Sequence, residues 1–163
     1  MKKLVVLLAV AIMCVSSVAC RNKTPHEIVS EELGIDVSDG TEMSYEDTHG
    51  GFHGDGTTSI VLQFNDNSVA DEIKENIKWS EFPIDETTQA LVYGLKKENC
   101  QYGPFLNDGM GNALMPEIQN GYYILIDRQT EIDTDILERP SFNFTVCLYD
   151  ADTNIMYFGK LDT

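Results

Sequence analysis

Cations are scarce in this chain of 163 residues: 11 Lys and Arg stand against 27 Asp and Glu, a formal charge of -16. So acidic a chain does not coat nucleic acid, which needs clustered Lys and Arg against phosphate. Surface charge does not hold it on an anionic membrane either. Long apolar runs are missing as well. The longest spans residues 4–15, short of the roughly 20 residues needed to cross a bilayer. The length fits one sizeable domain and excludes a two-lobed solute-binding protein, an (α/β) barrel or a long repeat array. No C-x-x-C pair, H-E-x-x-H helix, G-x-S-x-G elbow or G-K-[ST] loop occurs, so the common metal, hydrolase and nucleotide signatures are lacking.

What stands at the N-terminus is an address. Lys2 and Lys3 precede the apolar run, and Ser17-Val18-Ala19 places small residues before Cys20. That order is a signal peptide over residues 1–19, to be set aside before the fold is considered. The segment resembles a bacterial lipoprotein signal, in which such a Cys is lipidated and becomes the mature N-terminus. Ser17 replaces the usual Leu, so an ordinary signal-peptidase site followed by secretion is the alternative. Lipidation of Cys20 is the favoured expectation, and it puts the protein on the outer face of the cell membrane. The leader holds two cations and no acid, so its removal takes the charge from -16 to -18. Lipid would then have to hold the chain against a repelling surface.

Residues 20–23 form a short tether, and residues 24–163 a single domain. Thr24-Pro25-His26-Glu27 carries a capping box with Pro at the first helical position, and Gly34 fits the helix end. Residues 41–49 and 57–64 are expected as strands of a hairpin, the second with Ile60, Leu62 and Phe64 on one face. Ser68 should open a helix with Val69, Ile73 and Ile77 at i, i+4 and i+8, and Trp79 should cover an edge of the core. Leu91, Tyr93 and Leu95 alternate, so residues 87–95 are expected as a strand. Residues 96–121 form a long irregular stretch with one helical turn at 116–121, and a compact domain rarely carries such a stretch without a use for it. A strand over 122–127, an acidic loop over 128–140 and a C-terminal hairpin turning at Asp150–Asn154 complete the order. Hairpins dominate and regular βαβ alternation is absent. The expected fold is α+β: a five- to six-stranded, mostly antiparallel sheet with one or two helices on one face.

The segment Asp47-Thr48-His49-Gly50-Gly51-Phe52-His53-Gly54-Asp55-Gly56 is the most unusual. Imidazole and carboxylate suit borderline metals such as zinc, and glycines let side chains four apart converge. Asp47, His49, His53 and Asp55 are therefore the candidate ligands of a divalent metal. The spacing matches no known signature, and the favoured reading is a hairpin turn rich in Gly for its backbone, with metal binding the alternative. On the turn reading no cofactor is expected. The segment does not cradle phosphate, because it leads into a strand and no Lys or Arg lies between Met43 and Ile73. Asp150–Asn154 copies half an EF-hand loop, then fails at Ile155 and Leu161, which leaves a polar turn. Cys100 and Cys147 are expected as two separate thiols; a Cys100–Cys147 bridge, which an oxidising compartment would permit, is the alternative.

The Asp47–Gly56 segment, with Ser141-Phe142-Asn143-Phe144-Thr145, resembles small exported lipoproteins of Gram-positive gut-type bacteria. That resemblance implies location and carries over no catalytic residue. The expected function is a membrane-anchored, extracytoplasmic, non-catalytic binding domain. Its partners would be the membrane through the N-terminal lipid, and a protein or small ligand through residues 50–56 and 96–121. The alternative is a metal-binding protein or metal-dependent hydrolase on the Asp47–Asp55 loop.

Overall fold

The computed structural model describes residues 23–50, 54–97, 100–129 and 133–163. The leader, Cys20 and His53 lie outside them. Among the described residues no helix is long and apolar enough to cross a membrane.

The fold is α+β, built on a six-stranded antiparallel sheet in the order β1-β2-β8-β7-β6-β3. The strands are β1 (Thr41–Asp47), β2 (Gly56–Gln63), β3 (Ser80–Glu81), β6 (Gly121–Asp127), β7 (Asn143–Asp150) and β8 (Ile155–Asp162). A separate ribbon pairs β4 (Leu95–Lys97) with β5 (Cys100–Tyr102). The helices are α1 (Pro25–Leu33), α2 (Ser68–Glu75) and α3 (Glu86–Val92).

Local chemistry sets the first helix. Thr24 and Glu27 form the reciprocal capping box, Pro25 sits in the first turn, and Gly34 closes the helix at φ 70. The β7–β8 hairpin is fixed by its turn: Asp150 accepts from the Asp152 amide and the Thr153 hydroxyl, and Asn154 takes φ 55. β1 and β2 pair as the expected hairpin. β1 is exposed along its whole length; its acids and a bulge at Met43 blunt the sheet edge.

The sheet is buried on both faces, and β7 shows why. Its residues Phe144, Val146 and Leu148 face one core, while Cys147 and Tyr149 face the other. On the second face α1 and α2 deliver Val29, Leu33, Val69 and Ile73 against Ile60, Leu62, Met156 and Phe158. On the first, α3 brings Leu91 and Val92, and residues 96–140 bring Leu106, Met115, Ile118 and Ile136. Helices thus lie on both faces of the sheet. The stretch over 96–121 is half of a core layer. Gly159 admits it: a Cβ there would stand 2.7 and 2.8 Å from Met115 and Leu106 side-chain atoms.

Three local expectations fail for stated reasons. Residues 87–95 are mostly helix, because Asp85 caps it: its carboxylate accepts from the Thr88 amide at 2.7 Å and the Thr88 hydroxyl at 3.2 Å. Residues 116–121 form no helical turn; the Tyr93 hydroxyl donates to the Pro116 carbonyl and straps that segment flat. Burial pushes the Tyr93 phenol up to about 12. Ile77 leaves the α2 face, since the helix ends at Glu75 and Asn76 is extended. It is 99% exposed, and Trp79 fills the core edge instead.

Candidate functional site

The strand registers place a polar patch on an otherwise apolar sheet face. Side chains on one face recur every second residue. Two rungs across β2, β8 and β7 are apolar: Leu62, Met156 and Tyr149, then Ile60, Phe158 and Cys147. The next rung on the same face is Thr58, Lys160 and Thr145, and the one after is Gly56, Asp162 and Asn143. The sheet face therefore turns from hydrocarbon to hydrogen-bonding groups within four residues. Helix α1 overhangs this end with Glu31 and Glu32, and a cleft of about 280 Å³ lies between them.

His49 reaches the cleft from beyond β1. It follows β1 in an Asx-type turn, its amide donating to Asp47 Oδ1 at 3.0 Å. Gly56 makes room for this fold-back. A Cβ at position 56 would stand 2.4 Å from the His49 Cα, an impossible contact. The glycine here serves a close approach of two backbones.

Asp162 is the hub. Its Oδ2 faces His49 Nε2 at 3.1 Å and its Oδ1 pairs with Arg128 at 2.6 Å, with the Lys160 ammonium at 3.8 Å. Burial opposes the charged form of Asp162. The hydrogen bond and charge of Arg128, then His49 and Lys160, outweigh it and hold the carboxyl below the usual carboxylate range. Asp47 Oδ1 faces His49 Nδ1 at 2.6 Å. Burial again opposes ionisation, and the His49 amide and ring lower the Asp47 carboxyl overall. Both imidazole nitrogens thus face carboxylates. The ring satisfies both when each nitrogen carries a proton. The Thr58 hydroxyl lies 3.3 Å from Nδ1, a longer contact than that of Asp47.

Arg128 ties the patch to the backbone of two strands. It donates to the Phe144 and Leu161 carbonyls at 3.2 and 2.9 Å, and its Nε lies 3.7 Å from Glu32 Oε1. Glu32 Oε1 also accepts from the Thr145 hydroxyl at 2.9 Å. The chain of contacts Asp47–His49–Asp162–Arg128–Glu32–Thr145 joins β1, β8, β7 and α1 into one rigid rim.

The sequence-based candidates divide. Asp47 and His49 come together at the cleft. Asp55 is exposed; its carbonyl accepts from the Gly50 amide at 3.4 Å, closing the turn. His53 lies outside the described residues. Among the described residues no group of three His, Cys, Asp or Glu side chains is arranged to hold a metal ion. Cys100 is an exposed free thiol on β5, and Cys147 a buried one on β7. Burial raises the Cys147 thiol well above its ordinary range.

Thr58, Lys160, Asp162, Arg128, Glu32 and Thr145 are not among the candidate site residues that the sequence offers. The signal was a polar residue in phase with buried ones, at 58 in β2 and at 160 and 162 in β8. It was masked because β8 reads equally well by its other face, Ile155, Tyr157 and Leu161. Comparison with family models, with curated proteins and with solved structures found no match.

Proposed function

We propose that the protein is a membrane-anchored, extracytoplasmic binding domain without catalytic activity, and that its ligand seats in the polar cleft beneath α1. The observation that carries this reading is the convergence of charged groups from β1, β8 and α1, with the Thr58 hydroxyl of β2, at an open cleft on the sheet. Non-catalytic binding is favoured because, among the described residues, the imidazole at the cleft, His49, is engaged at both nitrogens by carboxylates. A general base needs a free nitrogen within reach of the proton it takes. The signal over residues 1–19 and the position of Cys20 support the anchor and the outer face of the membrane. The strongly acidic chain does not favour nucleic acid as a partner.

The binding reading is tested by thermal melting of the full chain against a panel of small polar compounds. Compounds that raise the melting temperature of the wild type and leave Lys160→Met unmoved support it. If none stabilises the wild type, the reading fails. The anchor is tested by Cys20→Ala, which should move the protein from the membrane fraction to the medium. A wild-type protein already in the medium would establish plain secretion.

A metal-binding protein or metal-dependent hydrolase is the competing proposal, and it rests on Asp47 and His49 lying together at the cleft. The imidazole would exchange one carboxylate for a divalent ion, with His53 and Asp55 completing the set. Elemental analysis after incubation with zinc decides it. Stoichiometric metal, lost in His49→Ala/His53→Ala, would support the metal reading.

A further inference from the structure

We infer that the cleft is selective for a small zwitterion of the amino-acid class, one ammonium and one carboxylate a few bonds apart. The inference rests on the cleft being the binding site. It starts from the two groups there whose bonding capacity is least used. The Lys160 ammonium has three donors. Among the described residues it makes no hydrogen bond, and its ion-pair partner is Asp162 at 3.8 Å, beyond hydrogen-bond reach. Its side chain is 27% exposed, so much of its hydration shell is already displaced. Asp162 is engaged more closely by Arg128 and His49, at 2.6 and 3.1 Å.

Glu32 is the counterpart. Its Oε1 serves Thr145 and faces Arg128. Its Oε2 accepts no hydrogen bond among the described residues. Lys160 and Glu32 therefore flank the Arg128–Asp162 ion pair, one on each side, with opposite charge and spare valence. A simple anion would satisfy Lys160 and leave the second oxygen of Glu32 without a partner, beside the paired Asp47 and Asp162 carboxylates. A simple cation would satisfy Glu32 and meet Lys160 and the doubly engaged His49 ring. A molecule carrying both charges satisfies both sides, and like-charge juxtaposition is what excludes the others. The volume of about 280 Å³ suits a ligand of amino-acid size, at the lower edge of small-molecule sites.

The test is an amide chemical-shift titration of the full chain in mild detergent. The probes are alanine, acetate and ethylammonium at equal ionic strength. Alanine is expected to shift the amides of His49, Thr58 and Lys160 saturably, while acetate and ethylammonium at the same concentration leave them in place. Lys160→Met and Glu32→Gln should each weaken alanine binding roughly tenfold or more, the scale of one lost charged hydrogen bond. Glu32→Gln keeps an oxygen for Thr145. The comparison of probes on the wild type stands even if a variant misfolds. If acetate shifts the same amides as strongly as alanine, the zwitterion inference is overturned and the cleft survives as an anion site. Equal shifts with ethylammonium overturn it in favour of a cation site. Should alanine bind only at amides far from the cleft, or none of the probes bind, the cleft itself is the wrong site.

Discussion

Replacing Asp162 by Asn removes the charge on which His49, Arg128 and Lys160 converge while keeping the side-chain shape. Arg128 and Asp162 are 22% and 24% exposed, so roughly three-quarters of each is out of water. Breaking a fully buried pair by removing one partner costs about 3–5 kcal/mol, and a hydrogen bond to a charged group is worth about 1.5–3. The exposed quarter screens the pair, and Asn retains one acceptor. The lower figure therefore applies: about 2 kcal/mol at neutral pH. With a urea slope of about 2 kcal/mol per molar, the unfolding midpoint should fall by roughly 1 M. The pH dependence supplies the control. The folded Asp162 carboxyl lies below its unfolded value of about 3.9. Its contribution is therefore complete above about pH 5 and is lost as pH falls through the folded value. The gap between wild type and Asp162→Asn should be fully present at pH 6 and shrink in acid. A gap that persists unchanged to pH 3, or a variant as stable as wild type at pH 7, would refute the hub role.

Four further outcomes are expected. Gly56→Ala should destabilise by about 1–3 kcal/mol in the same urea assay, since its Cβ would stand 2.4 Å from the His49 backbone; an unchanged midpoint would mean that the turn is not held as described. Leu106→Ala should cost about 2–5 kcal/mol, because Leu106 is fully buried under β7 and β8, and a loss below 1 kcal/mol would show that residues 96–121 do not form a core layer. Replacing residues 96–121 by a short turn should abolish cooperative unfolding; a cooperative melt of that deletion would make the stretch dispensable. In the Cys20→Ala protein a thiol reagent should modify Cys100 quickly and Cys147 only after denaturation, whereas no reactive thiol in denaturant without reductant would reveal a Cys100–Cys147 bridge.

Several elements were legible because their causes are local. The capping box at Thr24 and Glu27 with Gly34 behind it fixes α1 from eleven consecutive residues. The Asp150–Asn154 turn between two apolar-rich runs fixes the β7–β8 hairpin. Helix α3 misled because Leu91, Tyr93 and Leu95 fit a period of two, while the Asp85 cap that decides the matter sits just outside the run. The burial of both faces of β7 was hidden for a different reason. A continuous buried run carries no alternation, so the chain does not say which side each residue serves.

By itself the sequence determined the acidity, the α+β class and the Asp47–His49 half of the site. These follow from composition and from contacts between near neighbours in the chain. The tertiary structure decided the rest of the site. His49 and Asp162 are separated by 113 residues, as are Glu32 and Thr145. Their meeting depends on the β2–β8 and β7–β8 registers, and a shift of one residue would send each polar side chain to the opposite face. Register is set by packing across the whole sheet, so the cleft becomes visible only once the strands are paired.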